Sequence, residues 1–173
     1  MRRALALALV LAACAGPRTY WKASPLVGKP LEVTALDPEG RPVRLDAGRG
    51  QVLMVDFFAT WCDPCREQLP FLDRLSTALG PRGLTVFAVA FDEDRSAVDA
   101  FVRQVAVGFP VLWDKGGATL ADRLEVTRLP TTLLVGRDGT VRSVHLGYER
   151  ADEPLLRSEV EKLLAERSPV RGP

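Results

Sequence analysis

Val52-Leu53-Met54-Val55-Asp56-Phe57-Phe58-Ala59-Thr60-Trp61-Cys62-Asp63-Pro64-Cys65-Arg66 is the stretch that decides the fold. An apolar run of strand length leads straight into two thiols separated by two residues, a pattern that reads as a redox-active dithiol. A helix beginning at Asp63 puts both sulfurs on one face, at a Cα separation near the ~5.5 Å of a disulfide. Cys62 then stands at the helix start, where unpaired N–H groups and the positive end of the dipole favour a thiolate, the form that attacks disulfides. Pro64 suits the same place, because the first turn has no use for its missing N–H.

A structural bridge and half of a metal site are the alternatives. A bridge over two residues stabilises little by chain entropy. A zinc site needs about four ligands, and the chain has three cysteines and one histidine, His145.

The third cysteine, Cys14, ends an apolar run from Ala4 to Ala13 that follows Arg2-Arg3. The run is far short of the ~20 residues a membrane span needs, but it fits an export signal. Leu11-Ala12-Ala13-Cys14 is similar to the bacterial lipobox, in which cleavage precedes the cysteine and lipid is attached to its sulfur. Cleavage after Ala15 also fits the small-residue rule. We therefore expect a signal peptide at 1–13, a lipid-anchored tether at 14–29 whose Trp21 docks back on the domain, one domain at 30–166 and a flexible tail at 167–173. With 23 basic against 22 acidic residues, there is no charge excess to neutralise phosphates, so no nucleic-acid partner is expected.

Outward from the dithiol, residues 31–36 and 43–45 flank the turn Asp37-Pro38-Glu39-Gly40 and predict an N-terminal β-hairpin. The first helix runs over 63–79 with a bend at Pro70. Residues 84–91 read as a buried strand, 96–105 as a helix, 109–112 as a short strand and 118–124 as a further helix. Residues 131–135 and 141–146 flank Asp138-Gly139, a hairpin signal, and 152–165 carry a helical apolar stripe. Strands alternating with helices imply an α/β fold, its sheet covered on both faces.

Val55-Asp56-Phe57, Trp61-Cys62-x-Pro64-Cys65 and Leu129-Pro130-Thr131-Thr132 followed by Asp138-Gly139 resemble the thioredoxin fold. The N-terminal hairpin, and the extra βα unit between the CxxC helix and Pro130, resemble the TlpA/ResA branch of extracytoplasmic thioredoxin-like proteins. The resemblance implies a central mixed β-sheet flanked by helices, Cys62 as nucleophile, Cys65 as resolving thiol, and Pro130 as a cis-proline beside them. Trp61, Leu129 and Thr131 are then the substrate-binding residues, with the Leu129 backbone pairing a client strand. A trans strand-edge proline is the other reading of Pro130.

Asp56 falls by strand alternation on the face of Val52, Met54 and Phe58, where apolar neighbours should raise its pKa. A buried acid near Cys65 can accept its proton when that thiol attacks, although a hydrogen-bonded structural aspartate is the alternative. Four residues tune the site: Asp63 and Arg66, which act on a Cys62 thiolate with opposite signs, Pro64, and Gln68. Gln68 stands where the family often has glutamate; Glu67, one place early, is rotated by about 100° off the cysteine face.

The activity so implied is that of a membrane-tethered thiol-disulfide oxidoreductase with no cofactor beyond its own disulfide. It would act as a reductant of exported dithiol proteins, apocytochrome c among them, recharged by a membrane thiol donor. Its potential would lie nearer thioredoxin, at about −270 mV, than DsbA, at about −120 mV. Two other functions compete. A copper-binding chaperone would use Cys62, Cys65 and His145. A peroxiredoxin-like peroxidase needs threonine and proline three and seven residues before the reactive cysteine, where this chain has Ala59 and Val55.

Overall fold

The computed structural model describes residues 24–45, 50–121 and 123–167. The expected signal peptide, Cys14, Trp21, most of the tether and the tail from Ser168 lie outside the described residues. Seven strands form one mixed sheet in the order β2-β1-β5-β4-β3-β6-β7: β1 (Val33–Leu36), β2 (Pro42–Leu45), β3 (Val52–Phe58), β4 (Leu84–Ala90), β5 (Val111–Trp113), β6 (Thr131–Val135) and β7 (Val141–Leu146). β3, β4 and β5 run parallel, whereas β6 pairs antiparallel with β3 and β7 extends the sheet as a hairpin. β1 and β2 are the expected hairpin, and β1 joins the sheet edge through Leu36 and Trp113.

β3 is central, and every one of its residues is buried. Its side chains alternate between two cores, as the period of two in a strand requires. Val52, Met54 and Phe58 face the layer built by helices α1 (Asp63–Leu79), α2 (Arg95–Val105) and α3 (Glu153–Ala165). Leu53, Val55 and Phe57 face the opposite side, together with Leu31, Val33, Leu120 and Leu124. α1 buries Leu69, Phe71, Leu72, Leu75 and Leu79 against the sheet. At ~1.5–3 kcal/mol of gross burial for each side chain, these hold the dithiol-bearing helix in place.

Where the expected helix at 118–124 is described, it is a succession of turns. Its N–H groups are taken one at a time: Asp114 accepts from Thr119 and Leu120, while Ala121 donates to Gly117 and Leu124 to Leu120. Gly116, Gly117 and Glu125 have positive φ and so bound this segment on both sides. The second sheet face is thus covered by turns and by the N-terminal residues, and the three α-helices share the first.

The expected tether also ends earlier than Lys29. Gly28 donates to Val141, Val141 to Lys29 and Leu31 to Gly139, so the chain is laced onto the start of β7 from Gly28 onward. The short strand expected at 109–112 is displaced to Val111–Trp113: Pro110 receives the Ala88 N–H with its carbonyl but has no N–H to return to the ladder.

Candidate functional site

Cys62 and Cys65 are joined in a disulfide with their Cα atoms 5.3 Å apart. Cys62 is the N-cap of α1: its backbone is extended, and its sulfur accepts the Cys65 N–H at 3.3 Å. Pro64 occupies the first turn, where it sacrifices no hydrogen bond. The preceding strand delivers the pair to the C-terminal end of β3. The Thr60 N–H and hydroxyl both donate to the Asp92 carboxylate, which anchors the loop carrying Trp61 and Cys62 to the end of β4. The N-cap of α2 is Asp94, two residues further on, which accepts from the Ser96 N–H.

The two cysteines are not equivalent. Cys62 keeps 6% of its surface in solvent and Cys65 none, while the neighbouring Trp61 indole is 72% exposed. Of the two, Cys62 at the helix end is the more open to solvent. The Leu129–Pro130 peptide bond is cis. Leu129 lines a cavity of about 330 Å³ together with Pro64, Gln68, His145 and Tyr148. Thr131 turns away from this site: its side chain is buried and donates to the Arg128 carbonyl, bracing the turn that precedes the cis bond. Burial, with the Glu153 carboxylate that accepts its hydroxyl, pushes the Tyr148 phenol above its ordinary value.

Asp56 lies wholly inside the protein, on the α1 side of β3. Burial pushes its carboxyl up from 3.8 to about 7, against the opposing effect of one hydrogen bond from Thr132. That bond, Thr132 Oγ1 to Asp56 Oδ1, is 2.7 Å. Gln68 Nε2 donates in turn to Thr132 Oγ1 at 2.9 Å. Asp56 Oδ2 and Gln68 Oε1 are buried with no protein partner. Thr132 is the residue that sequence reasoning missed as a member of the site. Its signal was present in the strand pattern, since placing β6 beside β3 sets Thr132 opposite Asp56.

Other tuning residues point outward. Arg66 lies 4.6 Å from the centroid of the Phe101 ring and donates to Gln104 on α2. Asp63 is exposed, and Glu67 reaches Arg150 at 3.5 Å, away from the buried polar residues. His145, the third ligand of the copper reading, has its Nε2 2.9 Å from Glu159 on α3.

The sequence matches the Redoxin family over residues 26–164, nearly all of the described structure. The chain belongs to that family. Among its relatives is the thiol-disulfide oxidoreductase ResA of Bacillus thuringiensis subsp. konkukian, 35% identical over 105 residues that cover 61% of this chain and 60% of the relative. ResA of Bacillus subtilis is 32% identical over 111 residues, covering 64% of this chain and 62% of the relative. The chain thus spans about three fifths of the length of these curated relatives. A solved structure from Chlorobium tepidum that bears the name thiol:disulfide interchange protein DsbE superposes with a TM-score of 0.76. It is 29% identical and covers 83% of this chain and 100% of that one. This Redoxin-family chain therefore has the thioredoxin fold expected of it, with the CxxC pair at the start of α1.

Proposed function

We propose that the protein is a membrane-tethered, extracytoplasmic thiol-disulfide oxidoreductase that reduces disulfides in exported proteins. The observation that carries the activity is the Cys62–Cys65 disulfide capping α1, in which Cys62 keeps a slight exposure and Cys65 is wholly enclosed. The names of the ResA and DsbE relatives support it. In the reduced enzyme, the Cys62 thiolate attacks a client disulfide, forming a mixed disulfide and releasing the first client sulfur as a thiolate. Cys65 then loses its proton to Asp56 and attacks the Cys62 sulfur. The Cys62–Cys65 bond forms as the Cys62–client bond breaks, and the second client sulfur leaves with the electron pair. The client has gained two electrons, and the enzyme disulfide awaits a membrane thiol donor.

Asp56 suits the proton-accepting role because it is close to half-ionised at neutral pH and has a carboxylate oxygen without a partner. Trp61 and the backbone beside cis-Pro130 provide a contact surface for an extended client segment. The lipid tether at Cys14 and the choice of apocytochrome c as client rest on the sequence resemblance.

Trapping tests the reading. Cys65→Ser should accumulate a mixed disulfide on Cys62 with an apocytochrome c bearing an oxidised cysteine pair, and Cys62→Ser should accumulate none. Equal trapping by both variants would overturn the assignment of Cys62 as nucleophile. Release of the protein from membranes by Cys14→Ser would support the anchor, and an intact mass with an unlipidated N-terminus at Gly16 would overturn it.

A further inference from the structure

Three elements meet at one hydroxyl. Gln68 comes from α1, Thr132 from β6 and Asp56 from β3, linked in that order by bonds of 2.9 and 2.7 Å. A threonine hydroxyl has one proton to give, and a carboxylate can only accept. When Asp56 is ionised, the Thr132 proton therefore goes to Asp56 Oδ1, leaving Thr132 Oγ1 to offer Gln68 a lone pair. Only the NH₂ end of an amide can use that lone pair, so the direction of the whole chain is set. One carboxylate oxygen is occupied and the other, Oδ2, is left open in the interior.

We infer that Gln68 is a positioning residue for the resolving step, acting on Asp56 through the Thr132 hydroxyl so that Oδ2 is the oxygen that takes the Cys65 proton. This rests on the reading of Asp56 as proton acceptor. Gln68 stands three residues after Cys65, on the same face of α1. The helix that carries the resolving thiol thus also carries the group that aligns its acceptor. In the step itself the Cys65 S–H bond breaks, its proton passes to Oδ2, and the new sulfur–sulfur bond expels the client thiolate from Cys62.

The surroundings of Asp56 make this control effective. Its strand partners are Ala88 on β4 and Thr132 on β6, and it shares a face of β3 with Met54 and Phe58, which belong with Cys65 to one buried cluster. Burial raises its pKa and the Thr132 hydrogen bond opposes that rise, so a change in how Thr132 donates acts directly on its titration. Glutamate at 68 would accept the Thr132 proton when ionised and free Oδ1. Methionine would leave Thr132 without its second partner.

The test is carbon-13 NMR of the Asp56 carboxyl in the reduced full chain, measured from pH 5 to 9 beside single-turnover resolution of a mixed disulfide. Gln68→Met should raise the Asp56 midpoint by about half a pH unit, and Thr132→Val by about one unit. In the Thr132→Val background, Gln68→Met should add nothing. Gln68→Glu, which preserves shape, should split the single titration into two coupled steps. The resolution rate should follow each midpoint. An unmoved midpoint in Gln68→Met with a single step in Gln68→Glu would overturn the inference, as would an equal shift by Gln68→Met with and without Thr132. Midpoints that move as expected while resolution ignores them would instead overturn Asp56 as proton acceptor, and with it the role of Gln68 in resolution.

Discussion

Asp56 in mid-β3 and Asp114 at the end of β5 are both buried carboxylates, yet the protein treats them differently. Asp114 accepts the Thr119 and Leu120 N–H groups and so holds together the turns that close the second sheet face. Asp92 is engaged in the same way by Thr60. Asp56 is given one hydroxyl and no backbone donor, and its second oxygen has no partner. A carboxylate saturated with amide donors is committed to holding the chain. One left with an open oxygen in an apolar core is poised to exchange a proton.

The pH dependence of stability probes this contrast most strongly. The folded-state value of Asp56, about 7, lies above its unfolded value, so the fold favours the acid form. The stability it contributes is whole below pH 4 and is lost as pH rises through 7, a span of roughly 4 kcal/mol. Denaturant unfolding of wild type and Asp56→Asn at pH 4 and pH 9 should show that span in the difference between the two proteins. Parallel curves would put Asp56 in the same class as Asp114.

Next in size is the rate. Asp56→Asn should slow resolution of the mixed disulfide about a hundredfold at neutral pH, because an amide cannot take the Cys65 proton. Stopped-flow single turnovers would check this, and an unchanged rate would leave Asp56 a packing residue. Asp114→Ala should do the reverse, costing about 2 kcal/mol of stability by depriving two N–H groups of their acceptor, with the resolution rate preserved. Smallest is Thr60→Val, which removes one of the donors to Asp92. A loss of about 1 kcal/mol is expected in urea unfolding.

Much of the site is legible along the chain because its parts are local. The spacing of Cys62 and Cys65, the helix they open and the placing of Asp56 on the cysteine face all follow from periods of 3.6 and two. Pro130 could be picked out only by its resemblance to a motif. Thr132 and Gln68 could not be joined to Asp56 in this way, since the three are brought together across 64 and 76 residues of sequence by the pairing of β6 with β3. The segment 118–124 misled for a related reason. Its composition permits a helix, but Asp114 and the glycines at 116 and 117 offer its N–H groups other arrangements.

What the sequence by itself determined is the dithiol, the strands and helices that present it, and the order in which they follow one another. These depend on neighbours within a few residues, where the covalent chain already limits the choices. Only the tertiary structure decided which sulfur meets solvent, which carboxylates are saturated, and which oxygen of Asp56 stays open. Those properties come from strand register and from burial, and both depend on residues the chain must fold to bring together.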